Sequence, residues 1–480
     1  MLLSLATSFT ALRLPLNPLL RVLSSTSTPS PPLTLAPLNL ATASLSSLTA
    51  LVTSLNQPKF RAVQLHDYIR KRGITDLNSM PQLPLSLRTL LLPLTTPSSL
   101  TVTIEKTSAK DSTIKRGYML HDNQLIESVL MPYKDRTTAC ISSQAGCAMG
   151  CVFCATGQMG FSRQLTSEEI FEQVAVYDCM VKRGGDERGV TNVVFMGMGE
   201  PLANYRNVMA AVRRINTDLG IGARKITVST VGLPPNIDKL AVEPLQVNLA
   251  VSLHESDDGK RSALLPANRR YGGLATLMES VRGYIDKTRR RVTFEWALIQ
   301  GENDTVETAR ELGKLFKGYK IQPSMCHINV IPLNPTDGFG GKKSGTAAVN
   351  KFCSVLMDEF GISATPRMRR GIDIDAGCGQ LKAEVVKKGG GQVFSGLVEP
   401  VLEEEEEKED VAAAEVTTSI VDALMVEESE KMMKKLKKRL KAIAKLEEGG
   451  RELNEAQRVK VAQKEEIEQE LEGLRHNLAA

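Results

Sequence analysis

The chain has 480 residues, of which 42% are hydrophobic and 4% aromatic, and its 60 Lys and Arg residues only slightly exceed its 55 Asp and Glu residues. This length and apolar content predict one large core with smaller appendages and exclude a chain that is disordered throughout. The small excess of basic residues does not by itself identify a nucleic-acid-binding protein. Eight cysteines, four of them between Cys140 and Cys154, are unlike a disulfide framework and favour a reducing compartment.

Residues 1–50 contain no Asp or Glu and are rich in Ser, Thr, Leu and Pro. This composition is typical of an organelle transit peptide, and the Ser, Thr and Pro content favours the chloroplast over the mitochondrion. A disordered extension without a targeting function, on a cytoplasmic protein, is the alternative. Prolines and arginines interrupt the apolar run in Met1–Leu23, so we expect no membrane-spanning segment there and no membrane partner.

Residues 51–125 begin with apolar side chains at helical spacing beside a basic face. The apolar positions are Leu51, Leu55, Phe60, Val63, Leu65 and Ile69, and the basic positions are Arg61, Arg70, Lys71 and Arg72. This pattern predicts a small helical domain. The basic face is interpreted either as a solvated surface or as a contact for RNA.

The next feature is a short cysteine array, in which Cys147, Cys151 and Cys154 have C-x3-C-x2-C spacing. Three thiolates can hold three irons of a [4Fe-4S] cluster and leave the fourth iron open to a ligand. A structural zinc site is the alternative, with Cys140 or Cys179 as the fourth ligand.

Strand-like residues precede this array and a helix signal follows it. Thr166–Glu169 has the form of a capping box before an apolar helical series, so the cysteines are predicted to lie in a loop between a strand and a helix. With Phe153 before the third cysteine, the loop resembles that of the radical S-adenosylmethionine (SAM) superfamily. The segment Asp135–Gln144, which reads DRTTACISSQ, more specifically resembles the RlmN/Cfr family of radical SAM RNA adenine methyltransferases.

Beyond the array, strand-like runs alternate with helical stretches at 192–196, 225–229, 247–253, 292–298 and 326–331. They predict an α/β core over residues 126–385 with a parallel sheet, arranged as a partial (β/α) barrel of the radical SAM type. Active sites of such folds lie at the carboxyl ends of the strands. Most of these runs end in a polar or glycine-rich group, so we expect the site at that edge.

The resemblance assigns several of these strand-end residues to SAM. Gly199 and Glu200 would bind its amino group, because glycine allows close approach of the backbone and a carboxylate pairs with an ammonium. The ribose, carboxylate and adenine would be held by Ser229, Ser252, Leu253, His254 and Asn334. A simple turn at Gly199 and a core histidine at His254 are the alternatives, and the recurrence of such groups at successive strand ends favours ligand binding.

Three further residues receive chemical roles from the resemblance. Cys378 lies in Gly371–Gln380, which matches the family's segment around a methyl-carrying cysteine, with Gly377 where alanine is usual. Cys140 would release the product by forming a transient disulfide with Cys378, and Glu127 would accept a proton from the adenine ring. Without the resemblance, Cys378 would be interpreted as an inert loop thiol.

The implied reaction is methylation of carbon C2 of an adenine in large-subunit rRNA, either alone or together with tRNA. A ring carbon between two nitrogens is a poor nucleophile, so displacement on the SAM methyl group is not viable and radical chemistry replaces it. One SAM would methylate Cys378, and a second would provide the radical that activates this methyl group. An electron donor such as flavodoxin or ferredoxin is implied. Methylation of C8, another radical SAM modification of RNA, and a non-catalytic RNA-binding protein with a structural metal are the alternatives.

The resemblance extends to the N-terminal helical domain, where Lys59–Ala62 and Asp76–Leu77 resemble the family's accessory domain that presents RNA. It does not cover the end of the chain. Residues 386–430 are predicted to be a linker with an acidic run, and residues 431–480 a helical hairpin or coiled coil. We interpret this tail as a contact for the ribosome or as a self-associating helix.

Overall fold

The computed structural model of the protein describes residues 37–382 and the single position Lys464. The predictions for residues 1–36 and for the linker and tail at 386–430 and 431–480 therefore lie outside the described residues, apart from Lys464. The chain divides into two compact units, Met1–Gly396 and Leu397–Ala480, and the elements below belong to the first. Within the described ranges, no helix has the length and apolar character needed to cross a membrane.

Three helices, α1 (Leu45–Ser54), α2 (Phe60–Arg72) and α3 (Leu85–Leu91), form an N-terminal module with its own apolar cluster. The Ser44 side chain caps α1 by accepting a hydrogen bond from the Ser47 N–H, and α2 ends at Gly73 in the left-handed conformation. Two-residue strands β1 (Leu38–Asn39) and β2 (Thr95–Thr96) pair in parallel across the module. The predicted small helical domain is confirmed.

The folded module begins before residue 50, where the sequence analysis places the end of the leader. Leu48 and Val52, on either side of that position, are both fully buried in the module's apolar cluster. Because one helix contains both residues, the folded part extends N-terminally to the strand at Leu38. A cleavable leader would have to end before that strand.

Twelve further strands follow. They are β3 (Thr101–Thr107), β4 (Ile114–Met119), β5 (Leu125–Pro132), β6 (Thr137–Cys140), β7 (Gln144–Gly146), β8 (Phe161–Gln164), β9 (Asn192–Phe195), β10 (Ile226–Thr230), β11 (Asn248–Ser252), β12 (Val292–Leu298), β13 (Cys326–Pro332) and β14 (Ala364–Pro366). All but β7 and β8 form one ten-stranded sheet, in the order β14-β13-β12-β11-β10-β9-β6-β5-β4-β3. Strands β7 and β8 pair with each other.

This sheet has a parallel part and an antiparallel part. Neighbours from β6 through β9 to β14 are parallel, whereas β3, β4, β5 and β6 are antiparallel. All five strand runs predicted from the sequence are present as β9 to β13, within one or two residues. The partial barrel of radical SAM type is therefore confirmed, and β3 to β5 extend its sheet at one edge.

The remaining helices are α4 (Ala155–Met159), α5 (Ser167–Arg183), α6 (Tyr205–Asp218), α7 (Pro234–Leu240), α8 (Asp258–Leu264), α9 (Ala267–Arg270), α10 (Gly273–Thr288), α11 (Val306–Gly318) and α12 (Thr346–Phe360). The predicted capping box opens α5: the Thr166 hydroxyl accepts the Glu169 N–H at 3.2 Å, and the Glu169 carboxylate accepts the Thr166 N–H at 2.9 Å. Helices connect the parallel strands, so the carboxyl ends of those strands share one edge of the sheet. The candidate site lies at that edge.

Candidate active site

A single cavity collects most of the residues selected from the sequence. Its open space, including the part that reaches solvent, is about 1030 Å³, at the upper end of the roughly 300–1000 Å³ found for ligand pockets. The predicted residues on its wall are Cys147, Cys151, Cys154, Gly199, Glu200, Ser229, Ser252, His254, Asn334 and Cys378. Glu127, Cys140 and Leu253 do not line it. The strand ends thus converge as the fold requires.

The three cysteines of the array lie in the turn between β7 and α4. The Cys147 N–H donates to the Gly160 carbonyl at 2.7 Å, and the Cys154 N–H donates to the Cys151 carbonyl at 3.1 Å. A Cβ atom on Gly157 would lie 2.9 Å from the Cys151 carbonyl oxygen, so a side chain there would disturb the turn. The backbone therefore fixes the positions from which the thiols reach the cavity.

Burial raises the pKa of Cys147 to about 12 and that of Cys151 well above its usual range, and the neighbouring Cys154 raises both further. All three side chains line the same cavity. Thiols in such surroundings keep their protons until a metal displaces them.

The donor set fits a [4Fe-4S] cluster held by three thiolates. Within residues 37–382, no three His, Cys, Asp or Glu side chains converge closely enough to hold a single metal ion. The thiolates of a cubane cluster bind different irons, so they stand farther apart than the ligands of one ion. Cys140, considered above as a fourth zinc ligand, has Cys378 and Arg367 as its charged neighbours and not the cysteine array.

Glu200 is a buried carboxylate at the end of β9. Its oxygens accept the Leu202 N–H at 2.9 Å and the Val231 N–H at 2.7 Å. Burial raises the pKa of Glu200 to about 7, and no described cation forms an ion pair with it. A buried carboxylate that lacks a cation is suited to an ammonium ligand, such as the amino group of SAM.

Gly199 allows the turn that presents Glu200. Its φ angle is +98°, and a Cβ atom there would lie 2.5 Å from Cβ of Gln144. The close approach lets the Glu200 N–H donate to the Gln144 side-chain oxygen at 2.7 Å. Glycine is needed here to pack the turn against β7, and its role in binding SAM stays a prediction.

His254 has a defined hydrogen-bonding pattern in the cavity wall. Its Nδ1 accepts the Ala297 N–H at 2.8 Å, so Nε2 carries the proton and can donate to a ligand. Burial lowers the pKa of His254 to about 3, which keeps the ring neutral. The residue has a φ of +61°, a left-handed conformation that few residues other than glycine adopt and that is found at functional sites.

Asn334 supplies a polar group with no partner of its own. Its side-chain Nδ2 donates to the Cys378 carbonyl at 3.0 Å, whereas its Oδ1 is buried and accepts no hydrogen bond within the described part of the chain. An unpaired buried acceptor in a cavity wall fits a hydrogen-bond donor of the ligand. The side chain of Leu253 is instead fully buried in the core, and its N–H donates to the Glu295 carbonyl at 3.0 Å.

Cys378 lies in the segment 371–382, hereafter the strap, which crosses the cavity beside the cysteine array. Two bonds tie the strap to α4: the Ala155 N–H donates to the Gly379 carbonyl at 2.8 Å, and the Thr156 hydroxyl donates to the Leu381 carbonyl at 2.6 Å. A Cβ atom on Gly377 would lie 2.5 Å from Oε1 of Gln380, so alanine at this position would require a side-chain shift.

The strap brings Cys378 close to Cys140, although 237 residues separate them in the chain. Cys140 is buried at the end of β6. Burial raises its pKa to about 12, the charge of Cys378 raises it further, and the Arg367 cation opposes both effects. All eight cysteines are free thiols in this structure. The two predicted partners are therefore neighbours that are not bonded to each other.

Arg367 and Glu295 are wall residues that the sequence analysis missed. The Arg367 guanidinium lies 3.4 Å from the Glu295 carboxylate, and both residues line the cavity, where Glu295 is buried and Arg367 is partly exposed. Burial lowers the pKa of Arg367, but Glu295 and the two thiols outweigh this effect and raise it. Arg367 precedes two more basic residues, Arg369 and Arg370, and nothing in that run distinguishes the arginine that lines the cavity from the other two.

Glu127 lies on β5 behind the cavity wall. Its carboxylate is 3.3 Å from the Lys115 ammonium and accepts the Lys382 N–H at 3.1 Å. Lys382 follows Leu381, which lines the cavity. The predicted proton acceptor is thus separated from the cavity by the end of the strap.

Comparisons with known proteins agree with this geometry. The Radical SAM superfamily matches residues 141–312. The dual-specificity RNA methyltransferase RlmN 1 of Myxococcus xanthus is 45% identical over 344 residues, which cover 71% of this chain and 93% of that protein. The chain belongs to the RlmN family.

Other relatives give the same assignment. A probable dual-specificity RNA methyltransferase RlmN of Chloroflexus aurantiacus is 45% identical over 346 residues, covering 70% of this chain and 90% of that protein. The crystal structure of a radical SAM methyltransferase from Sphaerobacter thermophilus has a TM-score of 0.65 and 44% identity, covering 72% of this chain and all of that one. As a radical SAM enzyme, this RlmN-family protein uses a [4Fe-4S] cluster and SAM, which the three thiols and the Glu200 pocket fit.

Proposed function

We propose that this protein methylates carbon C2 of an adenine in large-subunit rRNA, and also in tRNA, through a methyl group carried on Cys378. The observation that carries the proposal is a second thiol pair: Cys378 lines the same cavity as the three-cysteine array, and Cys140 is its neighbour. An enzyme that transferred the SAM methyl group directly would not need that pair. Its family supports RNA as the substrate.

The cofactors would be held by residues already on the cavity wall. Cys147, Cys151 and Cys154 would bind the cluster, Glu200 the amino group of SAM, and His254 and Asn334 its other polar groups. When bound, the cluster and SAM supply radical chemistry. Over the whole cycle, one SAM accepts two electrons and a proton and becomes methionine and 5′-deoxyadenosine. The methyl thioether of Cys378 and the thiol of Cys140 provide those electrons by becoming a disulfide.

The chain's own residues would bind and release the methylated base. The Cys378 sulfur carries the methyl group, and once that carbon has joined adenine, the base is bound covalently to the protein. Glu127 accepts the proton from C2. Cys140 loses its proton and attacks the Cys378 sulfur, the bond between that sulfur and the carbon breaks, and the electron pair passes to the carbon, which takes up a proton and becomes the methyl group.

This release leaves a disulfide between Cys140 and Cys378. An external dithiol must reduce it before Cys378 can accept another methyl group. The electron for radical chemistry would come from a donor such as flavodoxin or ferredoxin.

The N-terminal module would present the RNA. Its exposed face carries Phe60, on which the partly exposed Arg61 stacks at 4.7 Å, and Arg72, which stacks on the buried ring of Tyr68 at 4.6 Å. Exposed cations and aromatic rings suit phosphates and unpaired bases. Arg70 instead packs over Phe171 of α5, so it supports the docking of the module and not the RNA contact.

The two ends of the chain would direct the protein to its compartment and to its substrate. Residues 1–50 include a chloroplast import sequence. A fusion of this segment to a fluorescent protein tests this, and accumulation of the fusion in the cytoplasm would contradict it. The tail at 431–480 would contact the ribosome or associate with itself. Truncation after Gly391 should leave turnover on a short RNA near normal and should weaken sedimentation with ribosomal subunits or dimer formation.

The deciding experiment is nucleoside analysis of RNA after incubation with anaerobically reconstituted enzyme, SAM and a reductant. We expect 2-methyladenosine by mass spectrometry against authentic standards. Recovery of 8-methyladenosine would contradict the C2 assignment. If the anaerobically purified protein contains no iron, binds RNA and yields no methylated product, the proposal that it is an enzyme would be contradicted as a whole.

A further inference from the structure

Lys115 is a fully buried lysine in the antiparallel extension of the sheet. In the pairing of β4 with β5, Lys115 is opposite Val129 and Gly117 is opposite Glu127. Lys115 and Glu127 are therefore diagonal neighbours whose side chains lie on the same face. The exposed fractions of their side chains are 0% and 3%, and Nζ lies 3.3 Å from Oε1.

This ion pair is also attached to both ends of the strap's reactive part. The Lys115 ammonium donates to the Asp375 carbonyl at 3.3 Å, three residues before Cys378. The other oxygen of Glu127, Oε2, accepts the Lys382 N–H at 3.1 Å, four residues after Cys378. The pair thus joins the predicted proton acceptor to the segment that carries the methyl group.

Stability alone does not account for such a pair. Removing two charges from water costs free energy that their attraction repays only in part, and apolar residues of similar size are often as stable. Lysine is almost never fully buried unless it is paired. A buried pair placed between the base and the methyl carrier indicates a role in the reaction.

We propose that Lys115 is the positioning residue of Glu127, and this inference rests on the proposed role of Glu127 as proton acceptor. The charged bond to Oε1 is the stronger of the two carboxylate contacts, because both of its partners carry charge. Oε2 is held only by a neutral backbone N–H at the end of the strap. Oε2 is therefore the oxygen that turns to adenine, while Lys115 keeps the carboxylate in place.

The same contact returns the base to its starting state. Once Glu127 has accepted a proton, it is neutral and Lys115 is a buried ammonium without a counter-ion. That arrangement is unfavourable, so the proton passes on to solvent and the carboxylate is restored for the next cycle. Lys115 thereby acts on the release step and not on methyl loading.

The test uses the full-length reconstituted enzyme and compares Lys115→Met, Glu127→Gln and the double variant. The Lys115→Met protein should keep its iron and should still methylate Cys378, which a mass shift of the tryptic peptide reports. Release of RNA should slow by roughly 10²-fold, within the range that general-base catalysis contributes. A protein–RNA crosslink should then accumulate on denaturing gels. Lys110→Met, an exposed lysine in the turn between β3 and β4, is the matched control and should behave like wild type.

The double variant decides whether Lys115 acts through Glu127. In the Glu127→Gln background, loss of Lys115 should change the release rate less than twofold, because the group it positions is already absent. If the two substitutions slow release by factors that multiply in the double variant, Lys115 does not act through Glu127 and the inference is overturned. The double variant removes both charges, so it gives this comparison even where Lys115→Met alone does not fold.

The remaining outcomes separate this inference from the proposed function. Normal release by Glu127→Gln would show that Glu127 is not the base, and both ideas would be lost. Stalling by Glu127→Gln together with normal release by Lys115→Met would overturn only the role of Lys115. Loss of Cys378 methylation in Lys115→Met would show that Lys115 merely anchors the strap, which also overturns it.

Discussion

SAM binding should depend on pH through Glu200. The pKa of this carboxyl is about 7 because the side chain is buried, so below pH 7 it is mostly neutral and cannot pair with the amino group of SAM. The ionised fraction is about 90% at pH 8 and about 10% at pH 6. Because only the ionised form is competent, the apparent Kd should be about tenfold higher at pH 6 than at pH 8.

The variant Glu200→Gln isolates this effect. It should weaken binding at pH 8 by roughly 1.5–3 kcal/mol, the usual contribution of a hydrogen bond to a charged group. It should also remove the part of the pH dependence that belongs to Glu200. His254 does not titrate in this range, because burial holds its pKa at about 3.

Equilibrium dialysis of labelled SAM against anaerobically reconstituted protein, without reductant, measures both quantities. Titration of the amino group of SAM is common to both proteins, so the difference between their pH profiles belongs to Glu200. Parallel profiles for wild type and Glu200→Gln between pH 6 and 8 would refute the reasoning. Unchanged affinity at pH 8 would show that the amino group binds elsewhere.

Replacing any one of the array cysteines by Ala should remove the cluster, since three thiolates are the minimum that holds it; iron at full stoichiometry in Cys147→Ala, Cys151→Ala and Cys154→Ala would contradict this. Cys378→Ala should keep its iron and form no RNA adduct, whereas Cys140→Ala should accumulate a crosslink on denaturing gels; identical behaviour of the two would exclude the methyl-cysteine route. Arg367→Gln should move the rising limb of the pH–rate profile for adduct release to higher pH, because the cation that favours the Cys140 thiolate is lost. Arg367→Lys, which keeps the charge, is its control, and an unchanged limb in Arg367→Gln would contradict the role.

Local patterns were sufficient to predict the parallel sheet. Runs such as Val292–Leu298 are rich in apolar and β-branched residues, as expected for strands covered on both faces, and the structure confirms that strand without a shift. The capping box at Thr166 was equally local. The polar groups at strand ends could be placed together because the fold itself brings carboxyl ends of parallel strands to one edge.

The antiparallel extension could not be predicted in the same way. Strand β4 reads IKRGYM, in which Lys115 beside Arg116 resembles an exposed residue, and the strap that contacts that lysine lies some 260 residues later. Arg367 could not be identified for the same reason, because its charged neighbours Glu295, Cys140 and Cys378 are distant in the chain. Contacts at such separations leave no local signal, so these charges were missed while the cysteines were found by their motif.

The position of each residue relative to the superfamily match explains which chemistry is specific to this protein. The match at 141–312 contains the three array cysteines, Glu200 and His254, which would serve the cofactors. Glu127, Cys140 and Cys378, which would serve methyl transfer to RNA, all lie outside it. Strand β5, the end of β6 and the strap would therefore add the base, the resolving thiol and the methyl carrier, in that order, to a sheet that provides radical chemistry. The ion pair between Lys115 and Glu127 joins the first and the last of these additions, so a change in either should affect product release before it affects SAM cleavage.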